Sequence, residues 1–222
     1  MIDFSRQISI FGKKCQKRLL NSSVLIAGMG ALGCVVAELL VRAGLQRLWI
    51  VDFSVVDPPD LNRQILYTSE DIGKKKIFIA AKKLRKINPS ANIFPIDAEI
   101  KEGFELPKDL DVIADCLDNF KSRFFLEELA WKRKLPIVHG GVSRFFGQVT
   151  VILPEKTKKL SEIFKGVKEE SHIPVPGYLS IIIGALQVHQ IIKLLCHSEP
   201  ILANRLLVVD LESLSMENIN LA

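Results

Sequence analysis

Short, unbroken apolar runs alternate along the chain with longer stretches in which apolar residues recur every three to four positions. Val24-Leu25-Ile26-Ala27, closed by Gly28, predicts a buried strand. Ala31 to Ala43 carries Leu32, Val35, Val36, Leu39 and Leu40 at helical spacing, with Gly44 as the stop. Leu48 to Val51 predicts a second strand, closed by Asp52. After a proline-containing loop, Asp71 to Ile87 reads as an amphipathic helix that ends at Asn88-Pro89. Strands follow at Asn92 to Ile96 and Asp111 to Ala114, then a helix from Asn119 to Lys134 and a strand from Pro136 to His139. This order predicts an α/β fold with a Rossmann-like, doubly wound parallel sheet.

The last third changes character. Arg144 to Leu153, with Gly147 inside, predicts a longer strand in a different orientation. Pro154 to Gly177 is polar, rich in Lys and Glu and holds three prolines, so it reads as a mobile crossover loop. Tyr178 to Leu195 predicts a helix. Arg205 to Asp210 and Ser215 to Asn220 predict a hairpin that extends the sheet antiparallel to the rest. No internal repeat or low-complexity tract interrupts this plan.

Composition adds bounds. At 222 residues the chain suits one domain, with 1–22 as an N-terminal helical arm. Its 48% hydrophobic and 25% charged residues suit a packed core and exclude a disordered or collagen-like chain. Thirty Lys and Arg against 25 Asp and Glu give +5, which favours anionic ligands without pointing to nucleic acid. The four cysteines, Cys15, Cys34, Cys116 and Cys196, lie far apart with no C-x-x-C pair, which argues against a disulfide framework and against structural zinc. Met1 to Lys14 lacks the apolar run of a signal peptide, and Leu179 to Cys196 reads as too short and too interrupted by Gln187, His189, Gln190 and Lys193 for a membrane span. The expected compartment is the cytoplasm.

Three motifs carry chemistry. Gly28-Met29-Gly30-Ala31-Leu32-Gly33 follows a strand and opens a helix, the setting in which a glycine turn and a helix N-terminus receive phosphate. Asp52 ends the next strand, where a carboxylate accepts from ribose hydroxyls. This motif alone does not separate NAD, FAD and ATP. The second motif runs from Asp57 through Asp60, Asn62 and Arg63 to Gln64, then Gly73-Lys74-Lys75-Lys76. Arg63 can fork onto phosphate oxygens and one of the lysines can add a second cation, which suits a triphosphate; the plain alternative is a solvated basic helix start. The third is Asp115-Cys116-Leu117-Asp118-Asn119, where a carboxylate could hold Mg²⁺ together with ATP oxygens, or Asp118 or Asn119 could simply cap the next helix.

Taken with Arg6-Gln7-Ile8, Ile87-Asn88-Pro89, Gly147-Gln148 and Ile183 to Gln187, these segments resemble the MoeB/ThiF/HesA family, bacterial relatives of the ubiquitin-activating enzymes. The resemblance covers nearly the whole chain. It implies a single ThiF-type domain that binds ATP with Mg²⁺. It also implies adenylation of the C-terminal carboxylate of a small ubiquitin-like sulfur carrier ending in Gly-Gly, in the manner of ThiS or MoaD, for thiamine or molybdopterin-type cofactor synthesis. It implies that Asp52 holds the ribose, that Arg63 and Lys76 neutralise phosphates, that Asp118 binds Mg²⁺, and that Arg6 reaches the triphosphate of the other subunit in a homodimer. Gly28, Gly30, Gly33, Asp60, Asn62 and Asn119 complete the expected nucleotide site.

The chain departs from the family in two ways. Zinc-binding cysteine pairs and a crossover-loop cysteine are missing, so adenylation without zinc and without a thioester or persulfide step is expected. Asp60 stands where relatives usually have Asn, and a second negative charge there would weaken ATP binding unless it points away or helps hold metal. Two other readings stay open: adenylation of a non-protein or tRNA acceptor, and a non-catalytic nucleotide-binding scaffold. Among the remaining residues, Cys34, Cys116 and Cys196 read as core, His139 as structural, His172 and His197 as surface, His189 as core, and Phe145-Phe146 as core or as an apolar platform for the partner.

Overall fold

In the computed structural model, residues 2–167 and 173–221 are described. The strands are β1 (Ser23–Ala27), β2 (Arg47–Val51), β3 (Asn92–Ile96), β4 (Val112–Asp115), β5 (Ile137–Ser143), β6 (Phe146–Ile152), β7 (Arg205–Asp210) and β8 (Ser215–Asn220). The helices are α1 (Ser5–Leu19), α2 (Ala31–Arg42), α3 (Lys76–Ile87), α4 (Phe120–Lys132), α5 (Leu160–Ile163) and α6 (Gly177–Cys196).

The strands form one sheet in the order β3-β2-β1-β4-β5-β6-β7-β8. Pairing is parallel from β3 to β5 and antiparallel from β5 to β8. Every residue of β1 is buried, because both faces of the central sheet are covered. Val24 and Ile26 face one apolar core, shared with α2, α3 and α6; Leu25 and Ala27 face the other, shared with Leu126 and Ala130 of α4 and Leu160 of α5. The parallel strands all end at one edge, with the chain order reversing about β1 and β4, which creates a crevice there.

The expected α/β doubly wound sheet with an antiparallel extension is present, and its elements correspond closely to the apolar patterns. Three readings need correction. The helix expected from Asp71 begins only at Lys76, because Ser69–Asp71 is a separate 3₁₀ turn and Gly73 takes φ +79°. The crossover loop holds a short helix, α5, tied down where Glu127 accepts from the backbone N–H groups of Leu160 and Ser161; the part of the loop at 168–172, including His172, lies outside the described residues. The third correction is that Cys15 and Cys196, 181 residues apart in sequence, are disulfide-bonded with Cα atoms 5.0 Å apart. Distance along the chain misleads here, because α1 packs against the end of α6.

The α1 arm, kinked at Gly12, is tethered further inside. Gln7 and Gln16 both donate to the Ala43 carbonyl, at 2.7 and 3.0 Å. By length and composition α6 is long and apolar enough to cross a membrane, contrary to the expectation. What sets it apart is burial: Ile183, Gly184, Gln187, Val188 and Ile191 pack inward, and a Cβ on Gly184 would lie 2.8 Å from Val35 of α2.

Candidate functional site

The crevice at the strand ends is a cavity of about 750 Å³. It is lined by the glycine loop, by Asp52, by the Asp60 to Gln64 segment, by Lys76, and by Cys116 to Asn119. The three motifs read from the sequence therefore meet in one place.

The glycines of the loop serve different ends. Gly28 has φ +91°, and a Cβ on it would lie 2.8 Å from the Cys116 carbonyl oxygen. A Cβ on Gly33 would lie 1.9 Å from the Gly28 carbonyl oxygen, so α2 can approach the loop only as glycine. Gly30 differs: the nearest atom to its added Cβ is Gln64 Nε2 at 3.9 Å, so the fold alone does not demand glycine. The space kept clear there opens into the cavity, at the N-terminus of a helix with no side-chain cap.

Asp52 shapes the same loop. One carboxylate oxygen accepts from the Met29 N–H at 2.8 Å, and the other from the Ser54 N–H at 2.8 Å and its hydroxyl at 2.5 Å. Asn119 settles the capping question: its side-chain oxygen accepts from the Ser122 N–H at 2.8 Å. Asp118 is thereby left exposed in the cavity wall, and its carboxylate accepts from the Asn119 amide at 3.1 Å. Such a carboxylate fits Mg²⁺, which takes one or two protein carboxylates plus phosphate oxygens. Among the described residues no three His, Cys, Asp or Glu side chains gather as an all-protein metal site.

Of the three consecutive lysines, only Lys76 enters the cavity wall. Lys74 donates to the Glu70 carbonyl and Lys75 to the Phe53 carbonyl and Asp97, all on the outer surface. Lys76, 8% exposed, meets Asp60, 7% exposed, at 3.0 Å. Arg63 lies 3.5 Å from the other Asp60 oxygen and donates to the Pro59 carbonyl at 2.6 Å and the Asn62 side chain at 3.1 Å. Gln64 donates to Asp60 at 2.6 Å, and the Asp57 N–H at 3.0 Å. Asp60 thus neither points away from the cavity nor stands alone. Arg6 lies on the exposed face of α1, outside the residues that line this cavity.

The sequence reading missed a second, buried cluster. The Asp115 carboxylate accepts from Arg123 at 2.8 Å and lies 2.7 Å from His139 Nδ1. Arg123 also donates to the Gly140 carbonyl at 2.9 Å and to the Leu117 carbonyl. The Gln148 amide lies 3.2 Å from His139 Nε2, and Nδ1 sits between the Asp115 carboxylate and the Arg123 guanidinium, 2.6 Å from the latter. Burial, seconded by the charge of Arg123, holds the His139 pKa below its ordinary value and keeps the ring neutral. Burial pushes the Asp115 carboxyl up, but Arg123 and His139 outweigh it and hold it below the usual range. The signal for Arg123 was its place one helical turn beyond the Asn119 cap, facing the strand ends. Gln187 was another omission: its buried amide donates to the Asp115 and Val138 carbonyls, at 3.0 and 3.1 Å.

Cys34 and Cys116 are core, as expected; burial pushes the Cys34 thiol up to about 12 and raises that of Cys116 as well. Cys196 is buried but disulfide-bonded. His189 is exposed rather than core. Phe145 and Phe146 are 43% and 46% exposed, so the core reading fails for them. With Arg144, Tyr178, Glu212 and the Pro174 to Pro176 segment they line a second cavity of about 640 Å³, which shares Pro174 and Val175 with the first.

Known proteins agree with this architecture. The chain is 30% identical over 226 residues to the SAMP-activating enzyme E1 of Haloferax volcanii, covering 97% of this chain and 83% of the relative. It is 30% identical over 212 residues to the sulfur carrier protein adenylyltransferase of Thermus thermophilus, covering 90% and 78%. The crystal structure of Escherichia coli MccB with MccA-N7isoASN superposes with a TM-score of 0.87 at 20% identity, over 99% of this chain and 71% of MccB. That likeness shows the fold. The profile of the ThiF family matches residues 4–222, and the chain belongs to that family.

Proposed function

We propose that the chain adenylates the C-terminal carboxylate of a small ubiquitin-like sulfur carrier, using ATP. The observation that carries this reading is the convergence of Gly30, Arg63, Lys76 and Asp118 on one cavity. The names of the relatives in Haloferax and Thermus support the acceptor class.

The chemistry asks little of the protein in proton transfer. A carboxylate ionised at pH 7 attacks the α-phosphorus, the bond to the bridging oxygen breaks, and pyrophosphate leaves with the electron pair. Both reactants are anions, so repulsion and leaving-group charge dominate the barrier. Lys76 and Arg63 stand where they neutralise the β- and γ-phosphates, and the uncapped N–H groups of α2 face the phosphate beside Gly30. A magnesium ion, held by Asp118 and phosphate oxygens, would supply further charge neutralisation. Asp52 holds the loop and keeps lone pairs toward the ribose. Each well-placed donor of this kind lowers the barrier by roughly 3–4 kcal/mol.

The carrier's body would rest on Phe145, Phe146 and Tyr178, with its tail running past Pro174 and Val175 into the nucleotide cavity. Exposed aromatic surface joined to that cavity supports this path. In this reading the protein acts in the cytoplasm as a homodimer, and Arg6 serves the other subunit's triphosphate. Incubation with a Gly-Gly-ended carrier, ATP and Mg²⁺ is expected to give carrier-dependent exchange of labelled pyrophosphate into ATP, lost in Lys76→Gln. Exchange that ignores the carrier, or responds to tRNA instead, contradicts the proposal.

A further inference from the structure

Asp60 accepts from Lys76 at 3.0 Å, Gln64 at 2.6 Å and the Asp57 N–H at 3.0 Å, with Arg63 at 3.5 Å. It therefore engages both cations assigned to the triphosphate, in the wall of the same cavity. Asp60 and Lys76 are both more than nine-tenths buried. A buried lysine without a counter-charge costs several kcal/mol, so an empty pocket with neutral surroundings would hold Lys76 badly. A carboxylate solves this, because its oxygens offer a cation the same kind of acceptor that phosphate does.

We infer that Asp60 is a built-in stand-in for a phosphate group: it pairs with Lys76 and Arg63 while the site is empty and must give them up to the incoming triphosphate. This deepens the nucleotide-site reading and rests on it. The consequence is a trade between the two states. The empty protein gains a satisfied ion pair, and the bound nucleotide meets one more negative charge and two cations already engaged. Selectivity follows, because only ligands with β- and γ-phosphates compete for these cations. AMP does not.

The test uses Asp60→Asn in the full chain. The change is isosteric: one side-chain oxygen still accepts from Asp57 and Lys76. The new amide can donate to Gln64 Oε1, a buried atom without a hydrogen-bond partner among the described residues, once the Gln64 amide turns over. Calorimetry in EDTA is expected to show ATP and inorganic pyrophosphate binding about tenfold tighter to Asp60→Asn than to wild type. AMP affinity is expected to change less than twofold. The melting temperature of the empty variant should fall, while the rise on adding ATP should grow.

Equal or weaker binding of both polyphosphates in EDTA overturns the inference. So does weaker binding seen only with Mg²⁺, which would make Asp60 a metal ligand. Should the variant fail to fold, wild type crystallised with ATP decides: Lys76 should leave Asp60 for a phosphate oxygen, and a pair still at about 3.0 Å beside bound ATP overturns the inference. If neither protein binds any polyphosphate, the stand-in and the nucleotide site fall together. If the variant tightens binding but no carrier supports pyrophosphate exchange, the adenylation reading alone fails.

Discussion

Two acid–base clusters follow β4 and β2, the strands on either side of β1, and have opposite characters. After β4, Asp115, Arg123 and His139 form a closed set: each group faces a fixed partner, and Arg123 also serves the carbonyls of Leu117 and Gly140. After β2, Asp60, Lys76 and Arg63 form an open set that lines a cavity, with Arg63 held at 3.5 Å. Both place charge at the ligand-bearing edge of a doubly wound sheet. The closed set is held by partners within the fold, although Arg123 also reaches the cavity wall, and it fixes the loop that carries Asp118. The open set holds cations that can exchange one acceptor for another. Charge at a site is therefore weak evidence of binding until the partners of each group have been counted.

The largest way to break this contrast is Arg123→Met, which leaves Asp115 buried without its cation. The expected loss is about 3–5 kcal/mol of unfolding free energy, read by chemical denaturation. On the open side, Lys76→Gln should lower pyrophosphate exchange by about 10²–10³-fold, near 3–4 kcal/mol in the transition state, while the protein remains folded. If Lys76→Gln unfolds the protein and Arg123→Met only slows exchange, the assignment of the two clusters is reversed. Replacing Cys15 and Cys196 together by serine sharpens the contrast as a control away from both. It should cost roughly 2–4 kcal/mol of stability and leave ATP affinity within about twofold of wild type, by calorimetry.

The smallest expected effect concerns His139. Its folded pKa is depressed, so between that value and the unfolded one the unfolded chain binds more protons. Stability should therefore decline as pH falls through about 6.5, by at most about 1.4 kcal/mol per pH unit. His189, also depressed by partial burial and then by Lys193, contributes in the same direction. His139→Asn keeps a donor toward Asp115, and its thermal midpoint should drop less steeply between pH 7.5 and 5.5 than that of wild type. Parallel slopes would remove His139 from the explanation.

The sheet was legible because β1 and β4 are short apolar runs buried on both faces, a pattern that few other settings produce. The site was legible where backbone geometry forces a residue type, as at Gly28 and Gly33, and where a residue lies at a strand end, as Asp52 and Asp118 do. Choosing among Lys74, Lys75 and Lys76 needed the true start of α3, which the turn at Gly73 delays. Arg123, Gln187 and the Cys15–Cys196 bond stayed hidden for another reason. Each depends on contacts between elements far apart in the chain, and periodicity records only what a residue does within its own element. Phe145 and Phe146 misled because apolar character reports a preference for burial without naming what does the burying.

The Cys15–Cys196 bond turns most of the polypeptide into a covalent ring. β1 through β6 and α2 through α6 lie inside that ring, while the β7–β8 hairpin hangs outside it on a free tail. An opened ring segment can never drift far, because its ends stay joined, and it recloses from a compact state. The tail has no such restraint. Under oxidising conditions the hairpin should peel from β6 and exchange its amide hydrogens well before the nucleotide-facing strands do, and under thiol reduction that gap should narrow.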